Sequence, residues 1–322
     1  MSGLTRRSFL AGTAAMLAAP VPRAIALGRR LAGTVRFGVI ADPHHGLAPD
    51  AQQRLQAFVD AAIERSDLDF IVQLGDFCHP RDDSIPFLAE FDRFPGARHH
   101  VLGNHDMDLG TKAQTMKHWG IEKPYYAFDA GPLRFVVLDL NTLRRGTAYE
   151  PYGNANFYAE GIERNWCDPA QLEWLDAQLR TVKRPTIIFS HQPIGLSTRG
   201  TWLPRQQRAI LEVIDGARAN PEAADVLACM SGHLHLDFAQ RVKGIYCLSV
   251  NSASYHWSGG MRPYADPLFA FVTIDGEGRL LIEGQRSSFT EGHPWANGQS
   301  RDLEGVTASI SDRAVLLGRG GS

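Results

Sequence analysis

From residue 35 onward, short runs of consecutive apolar residues alternate with longer stretches in which apolar positions recur every three or four residues. That is the pattern of βαβ units around a largely parallel sheet. Residues 35–40 predict a strand. Across 50–65, Leu55, Phe58, Val59, Ala62 and Ile63 fall on one helical face, so a helix follows that strand. The same alternation gives strands at 70–74 and 99–102, with a short helix at 85–94 between them. Segments 125–128 and 134–140, joined through Ala130-Gly131-Pro132, predict a hairpin or an antiparallel edge. Asp168 then supplies an N-cap and Pro169 the first residue of a helix whose apolar stripe is Leu172, Leu175, Leu179 and Val182. Further strands are predicted at 186–189, 226–230, 244–250 and 269–274, and a helix at 205–217. Two stretches show no clear period: 141–165, rich in Tyr, Asn and Gly, whose length points to function or to cover, and the polar segment after Ser287. No linker-like shift interrupts 35–284. The expectation is one α/β domain there, a two-sheet β-sandwich flanked by helices, with a polar tail at 285–322.

Composition adds bounds. With 322 residues, 44% of them apolar and 21% charged, the chain can bury one large core or two smaller ones. A formal charge of −2 gives no overall electrostatic reason to bind nucleic acid or an anionic membrane. The N-terminus changes that figure. Thr5-Arg6-Arg7-Ser8-Phe9-Leu10 precedes a weakly apolar run at 11–19 and then Ala24-Ile25-Ala26, which resembles a twin-arginine export signal with a small-x-small cleavage site. The apolar run is too short to span a bilayer. Removal of residues 1–26 takes away Arg6, Arg7 and Arg23 and no acid, leaving 30 basic against 35 acidic side chains, a charge of −5. Residues 27–34 read as a linker. The expectation is a periplasmic or otherwise extracytoplasmic protein, met transiently by the twin-arginine machinery, with no stable membrane span in the mature chain. Cys78, Cys167, Cys229 and Cys247 form no CxxC pair. Free thiols are expected, since twin-arginine substrates resemble proteins that fold in a reducing compartment before export.

The chemistry lies in where the polar clusters fall. Asp42-Pro43-His44 follows the first predicted strand, Gly75-Asp76 the second, and Gly103-Asn104-His105-Asp106 the third. Ser190-His191 and Gly232-His233-Leu234-His235 follow two later ones. Open α/β sheets bind ligands beyond the carboxyl ends of their strands, so clusters far apart in sequence can meet. Carboxylates, a carboxamide and imidazoles together suit Zn, Mn, Fe or Co better than Ca or Mg. A single tetrahedral zinc needs three or four protein ligands, and this set offers seven, so two ions are expected.

In this order the fragments D-x-H, G-D, G-N-H-[DE], H and G-H-x-H resemble the calcineurin-like metallophosphoesterase family, with the likeness running from Asp42 to His235. The resemblance implies metal-dependent hydrolysis of a small phosphate-ester substrate at a dinuclear centre of divalent or trivalent ions, Mn, Fe or Zn foremost. It implies one ion held by Asp42, His44 and His235, another by Asn104, His191 and His233, with Asp76 bridging. A metal-bound hydroxide would attack phosphorus, and His105 would stabilise the phosphoryl oxygens and protonate the leaving alkoxide. The commonest family pattern, G-D-x-x-D, places a carboxylate at position 79, where this chain has His79. That removes the usual partner that orients the G-N-H histidine, and it makes His79 a candidate second positive group at the substrate, with a slight lean to diesters. Asp106 is expected to support the ligands from behind.

A lone histidine after a strand is more often a cap or a satisfied turn residue than a ligand, and His45, His99, His100, His118 and His256 are read so. Asn251, Tyr255, Trp257 and Tyr264 either line a substrate pocket or pack in the core. Two other functional classes stay open at this point: a non-catalytic metal-binding scaffold of the same fold, and a mononuclear zinc hydrolase of a non-phosphate bond.

Overall fold

The computed structural model describes residues 31–197, 204–220, 223, 225–292 and 305–318. Strand β1 (Val35–Ile40) is followed by helix α1 (Ala51–Glu64), which buries Leu55, Phe58, Val59 and Ala62 as their spacing requires; Ile63 stays exposed. Strand β2 (Phe70–Gln73) then pairs parallel to β1. Helix α2 (Ile85–Asp92) leads to β3 (Ala97–His100), parallel to β2 and two residues earlier than predicted. Helix α3 (Lys112–Trp119) was not predicted, because its apolar positions are few. Its boundaries are nonetheless well marked: Thr111 and Gln114 form a reciprocal capping box, and Gly120 closes the helix at φ 70°.

The chain then enters a second sheet through the hairpin β4 (Tyr126–Ala130) and β5 (Leu133–Leu138). The 141–165 stretch contains a small hairpin, β6 (Thr142–Arg145) with β7 (Ala148–Pro151), and a 3-10 turn at Asn156–Tyr158. Helix α4 (Pro169–Thr181), with the Asp168 side chain accepting the Gln171 N–H, precedes β8 (Thr186–Ser190). Helix α5 (Arg205–Arg218) precedes β9 (Val226–Ser231). Strands β10 (Phe238–Val242) and β11 (Ile245–Ser249) end this sheet, whose order is β10-β11-β9-β8-β5-β4. A short hairpin, β12 (Tyr255–Trp257) with β13 (Met261–Pro263), leads back to the first sheet. There β14 (Ala270–Ile274), β15 (Arg279–Gly284) and β16 (Arg313–Leu316) complete the order β16-β15-β14-β1-β2-β3.

The expected two-sheet sandwich flanked by helices is therefore the fold. Between the sheets, Phe37 stacks on Phe70 and Phe135 on Phe189, with centroids 4.8 and 5.5 Å apart, and Phe70 meets Phe135 edge-on at 5.0 Å. A second core lies beneath α4 and α5, and a third beneath α1 and α2. The four cysteines are buried free thiols, with Cys229 and Cys247 in register across β9 and β11.

The reading of 285–322 as a polar tail is corrected. Residues 313–316 pair with β15, and Ile310 and Leu317 are buried in the inter-sheet core. The segment hides its role because its apolar run, Ala314 to Leu317, is only four residues long and follows a polar stretch without period. The predicted leader, 1–26, lies outside the described residues, and among those described no helix is long and apolar enough to cross a membrane. Ile310→Ala is expected to lower unfolding stability by about 2–4 kcal/mol, read as a lower urea midpoint at unchanged slope. A loss below about 0.5 kcal/mol would instead mark a surface segment.

Candidate metal centre

The loops beyond β1 and β2 stay zipped together after the strands end. Asp42 N–H donates to Gly75 O (3.1 Å), His44 N–H to Asp76 O (2.9 Å) and His45 N–H to Phe77 O (3.0 Å). The backbone there is unusual. Of the nine non-glycine residues with positive φ among the described residues, five are Asp42, His44, Asp76, His233 and His235, at 50° to 67°. L-residues adopt this left-handed region at a cost on the order of 1–3 kcal/mol, and it persists where surrounding contacts impose it.

Glycine makes the close approach possible. A Cβ on Gly75 would meet the His191 ring at 2.5 Å, one on Gly103 would meet Asp76 N at 2.1 Å, and one on Gly232 would meet Asp42 Oδ2 at 2.4 Å. In the three clusters that open with glycine, that residue is thus where one loop presses against the next.

The predicted ligands are brought together in two groups. Asp42, His44 and His235 form one, and Asp76, His191 and His233 the other, with the candidate ligand atoms of each within 4.8 Å of one another. Asn104 joins the second group, its Oδ1 3.2 Å from His191 Nε2. Asp76 stands between them. Its Oδ1 accepts the His105 backbone N–H (2.8 Å), while Oδ2 lies 3.1 Å from His191 Nε2 and 3.8 Å from His44 Nε2.

The donor set fits a cation in both places. His191 Nδ1 lies 2.8 Å from the Leu74 carbonyl oxygen, which can only accept, and so carries the proton. Its Nε2 lone pair is then turned toward the oxygens of Asn104 and Asp76, which can only accept. In the other group His44 Nε2 and His235 Nε2 lie 3.0 Å apart, with Asp42 Oδ1 3.4 Å from the latter. The Nδ1 atoms of both histidines are buried without a hydrogen-bond partner. Lone pairs that converge in a buried place are costly unless a cation lies among them.

Charge states agree. Burial, reinforced by neighbouring histidines and opposed by Asp76, holds His44 well below the usual imidazole pKa, and burial lowers His233 to about 3; both are neutral, the form that ligates. Burial would raise Asp76, yet His191 and His105 hold it well below the carboxylate range. His191 resists burial and rises to about 9 because Asp76 and Asp42 face it, a proton standing where positive charge is wanted.

Beside these groups His105 lines a cavity of about 580 Å³, together with His44, Asp76, His233 and His235. The residue that orients it was missed by the sequence reading: Asp108 Oδ2 lies 2.7 Å from His105 Nδ1. The carboxylate absent from position 79 is thus supplied three residues beyond His105, across one turn of 3-10 helix. Burial lowers the His105 pKa, but Asp76 and Asp108 outweigh it and raise it to about 9.

His79 has its Nε2 3.9 Å from Asp108 Oδ2, is 9% exposed and is not part of the cavity lining, so the structure gives it a place behind Asp108 and not at the substrate. Asp106 is likewise set back from any reacting atom. Its carboxylate accepts four backbone N–H groups, from Gly103 (2.7 Å), Asp76 (3.1 Å), Phe77 (2.6 Å) and Cys78 (3.0 Å), and so clamps the loop after β2 to the loop after β3.

Of the four aromatic and amide candidates, Tyr255 and Trp257 line the cavity. Asn251 and Tyr264 do not: both are fully buried and bonded to each other (3.0 Å), and Asn251 also donates to the Thr307 and Ser309 carbonyls. Leu47, Asp108, Tyr158, Leu234 and Met261 complete the lining, and no sequence signal singled them out as facing a cavity. His45, His99, His100, His118 and His256 stand outside both ligand groups among the described residues; His256 Nδ1 contacts the His235 carbonyl oxygen at 3.0 Å, steadying that loop.

Comparison with known proteins places the chain in a family. A family model described as calcineurin-like phosphoesterase matches residues 35–237, more than half of the chain, and the chain belongs to that family. It is 30% identical over 129 residues to a manganese-dependent ADP-ribose/CDP-alcohol diphosphatase of Oryza sativa subsp. japonica, a match covering 32% of this chain and 40% of the rice protein. It is 21% identical over 240 residues to a 3′,5′-cyclic-nucleotide phosphodiesterase of Nostoc sp., covering 70% of this chain and 79% of the other. Among solved structures, a dimetal phosphatase from Danio rerio superposes with a TM-score of 0.56 at 21% identity, covering 78% of this chain and 95% of that one. The Plasmodium inner-membrane-complex anchor GAP50 gives 0.54 at 14% identity, covering 90% of each.

Asp108→Asn keeps the shape but weakens the bond that orients His105. Turnover of an aryl phosphate ester is expected to fall by about tenfold or more, with melting temperature and metal content unchanged. Unaltered kcat would remove Asp108 from this role.

Proposed function

We propose that this protein hydrolyses phosphate esters at a dinuclear metal centre, with diesters favoured over monoesters. The observation that carries the reading is Asp76, whose Oδ2 faces a histidine of each ligand group at once. On this reading Asp42, His44 and His235 hold one cation, Asn104, His191 and His233 hold the other, and Asp76 bridges them. Two such cations supply Lewis-acid charge at the phosphoryl oxygens and acidify water enough to provide hydroxide near neutral pH.

The chain's own part is positioning and proton transfer. His105 commits Nδ1 to Asp108, which leaves Nε2 for a phosphoryl oxygen or the leaving alkoxide, and the Asp108 carboxylate favours its protonated, donating form. Asp106 keeps the Asp76 and Asn104 loops in register through its four N–H bonds. The lean to diesters is supported by a cavity with no Lys or Arg among its described lining residues, since a monoester dianion gains most from an added cation. Manganese is supported by the name of the rice relative, and a diester or diphosphate substrate by the names of both relatives.

We also propose export by the twin-arginine route, supported by the Arg6-Arg7 motif and the apolar run behind it. Replacing Arg6 and Arg7 with Lys is expected to retain the full-length chain in the cytoplasm; unchanged fractionation would contradict export by this route.

Metal analysis of protein reconstituted with Mn is expected to give near two ions per chain, with bis-p-nitrophenyl phosphate hydrolysed faster than p-nitrophenyl phosphate. His105→Ala should lower kcat by about a hundredfold or more while metal content stays the same. One ion per chain with no phosphate-ester turnover would favour a mononuclear hydrolase, and metal binding without any turnover a scaffold.

A further inference from the structure

Of the seven large apolar side chains exposed among the described residues, three stand around the cavity above the candidate metal ligands: Leu47, Tyr158 and Trp257. Tyr158 is 58% and Trp257 59% exposed. They come from unconnected segments. Leu47 lies in the loop after β1, Tyr158 ends the turn in the 141–165 stretch, and Trp257 ends β12, opposite Met261 in the hairpin register. A single exposed apolar residue needs no explanation, but convergence on one concave site that also holds ligating and proton-donating groups is what a binding surface shows.

The residues beneath are already committed. Tyr255 is buried and stacks on the His44 ring, with centroids 4.9 Å apart and planes at 26°, so it serves the ligand group and leaves the open aromatic faces to Trp257 and Tyr158. The described lining contains no Lys or Arg to pair with a second anionic group. A volume of about 580 Å³ exceeds what a phosphate with small alkyl arms would fill.

Resting on the phosphodiesterase reading of the same site, we propose that the substrate is a singly charged phosphodiester bearing a planar aromatic arm of nucleobase size, and that this arm stacks on the rim formed by Trp257 and Tyr158. Stacking of this kind responds to the π-face and not to a hydrogen-bonding edge.

The test uses the Mn-loaded full chain and two esters with the same leaving group, charge and sugar: the p-nitrophenyl ester of thymidine monophosphate, and its methyl deoxyriboside counterpart, which lacks the base. The base-bearing ester is expected to show a kcat/KM about tenfold higher or more. Trp257→Ala should shrink that ratio at least about threefold, while Trp257→Phe, which keeps a π-face, should retain most of it. A ratio near one in the native protein, or a ratio untouched by Trp257→Ala, would overturn the aromatic subsite and leave the hydrolase reading standing. Failure to cleave either ester would instead bring down the hydrolase reading, and this inference with it.

Discussion

Nitrogen and oxygen lone pairs buried face to face repel one another, and the arrangement around Asp76 holds only when positive charge sits among them. His191 Nε2 is surrounded by the acceptor oxygens of Asn104 and Asp76 and by His233 Nδ1, all within 3.2 Å, and the side chain is wholly buried. Without a metal the site meets this need with a proton on His191. That one constraint accounts for much of what surrounds it. The loops must approach to within backbone contact, so three of the clusters open with glycine, and the side chains must turn inward, so five of them take left-handed backbone.

Such a strained cluster needs a rigid support. The aromatic stack between the sheets fixes β1 and β2 against β5 and β8, and the loops leave from the ends of these strands and their neighbours. The parallel pairing of β1 with β2 then continues as the Asp42, His44 and His45 N–H bonds to the next loop, so that ligand positions are set by ladder geometry. Asp106 extends the same control sideways. Its four accepted N–H groups satisfy loop backbone that would otherwise be buried unpaired.

What could be read from sequence, and what could not, follows from how local each signal is. The strands carrying the clusters are short apolar runs ended by glycine and polar residues, so both the sandwich and the set of residues from Asp42 to His235 were legible. Other features were not. Asp108 lies outside the four-residue fragment that marks the third cluster, and its link to His105 appears only once the chain makes a turn of 3-10 helix there. Trp257 and Tyr264 sit in the same glycine-rich neighbourhood, and only the β12–β13 hairpin sends one to the cavity rim and the other into the core. Residues 313–316 form an edge strand, half exposed by alternation, after a stretch without period. His79 could be recognised as a departure from the family pattern, but the side on which it would stand depended on where the replacement carboxylate came from.

The central claim concerns two cations bridged by a single carboxylate, and anomalous diffraction from crystals of the Mn-loaded protein addresses it most directly. The account predicts two anomalous peaks about 3.5–4 Å apart, one among Asp42, His44 and His235, the other among Asn104, His191 and His233, with Asp76 Oδ2 in contact with both. A single peak, or a pair of peaks with Asp76 turned away from either, would contradict it.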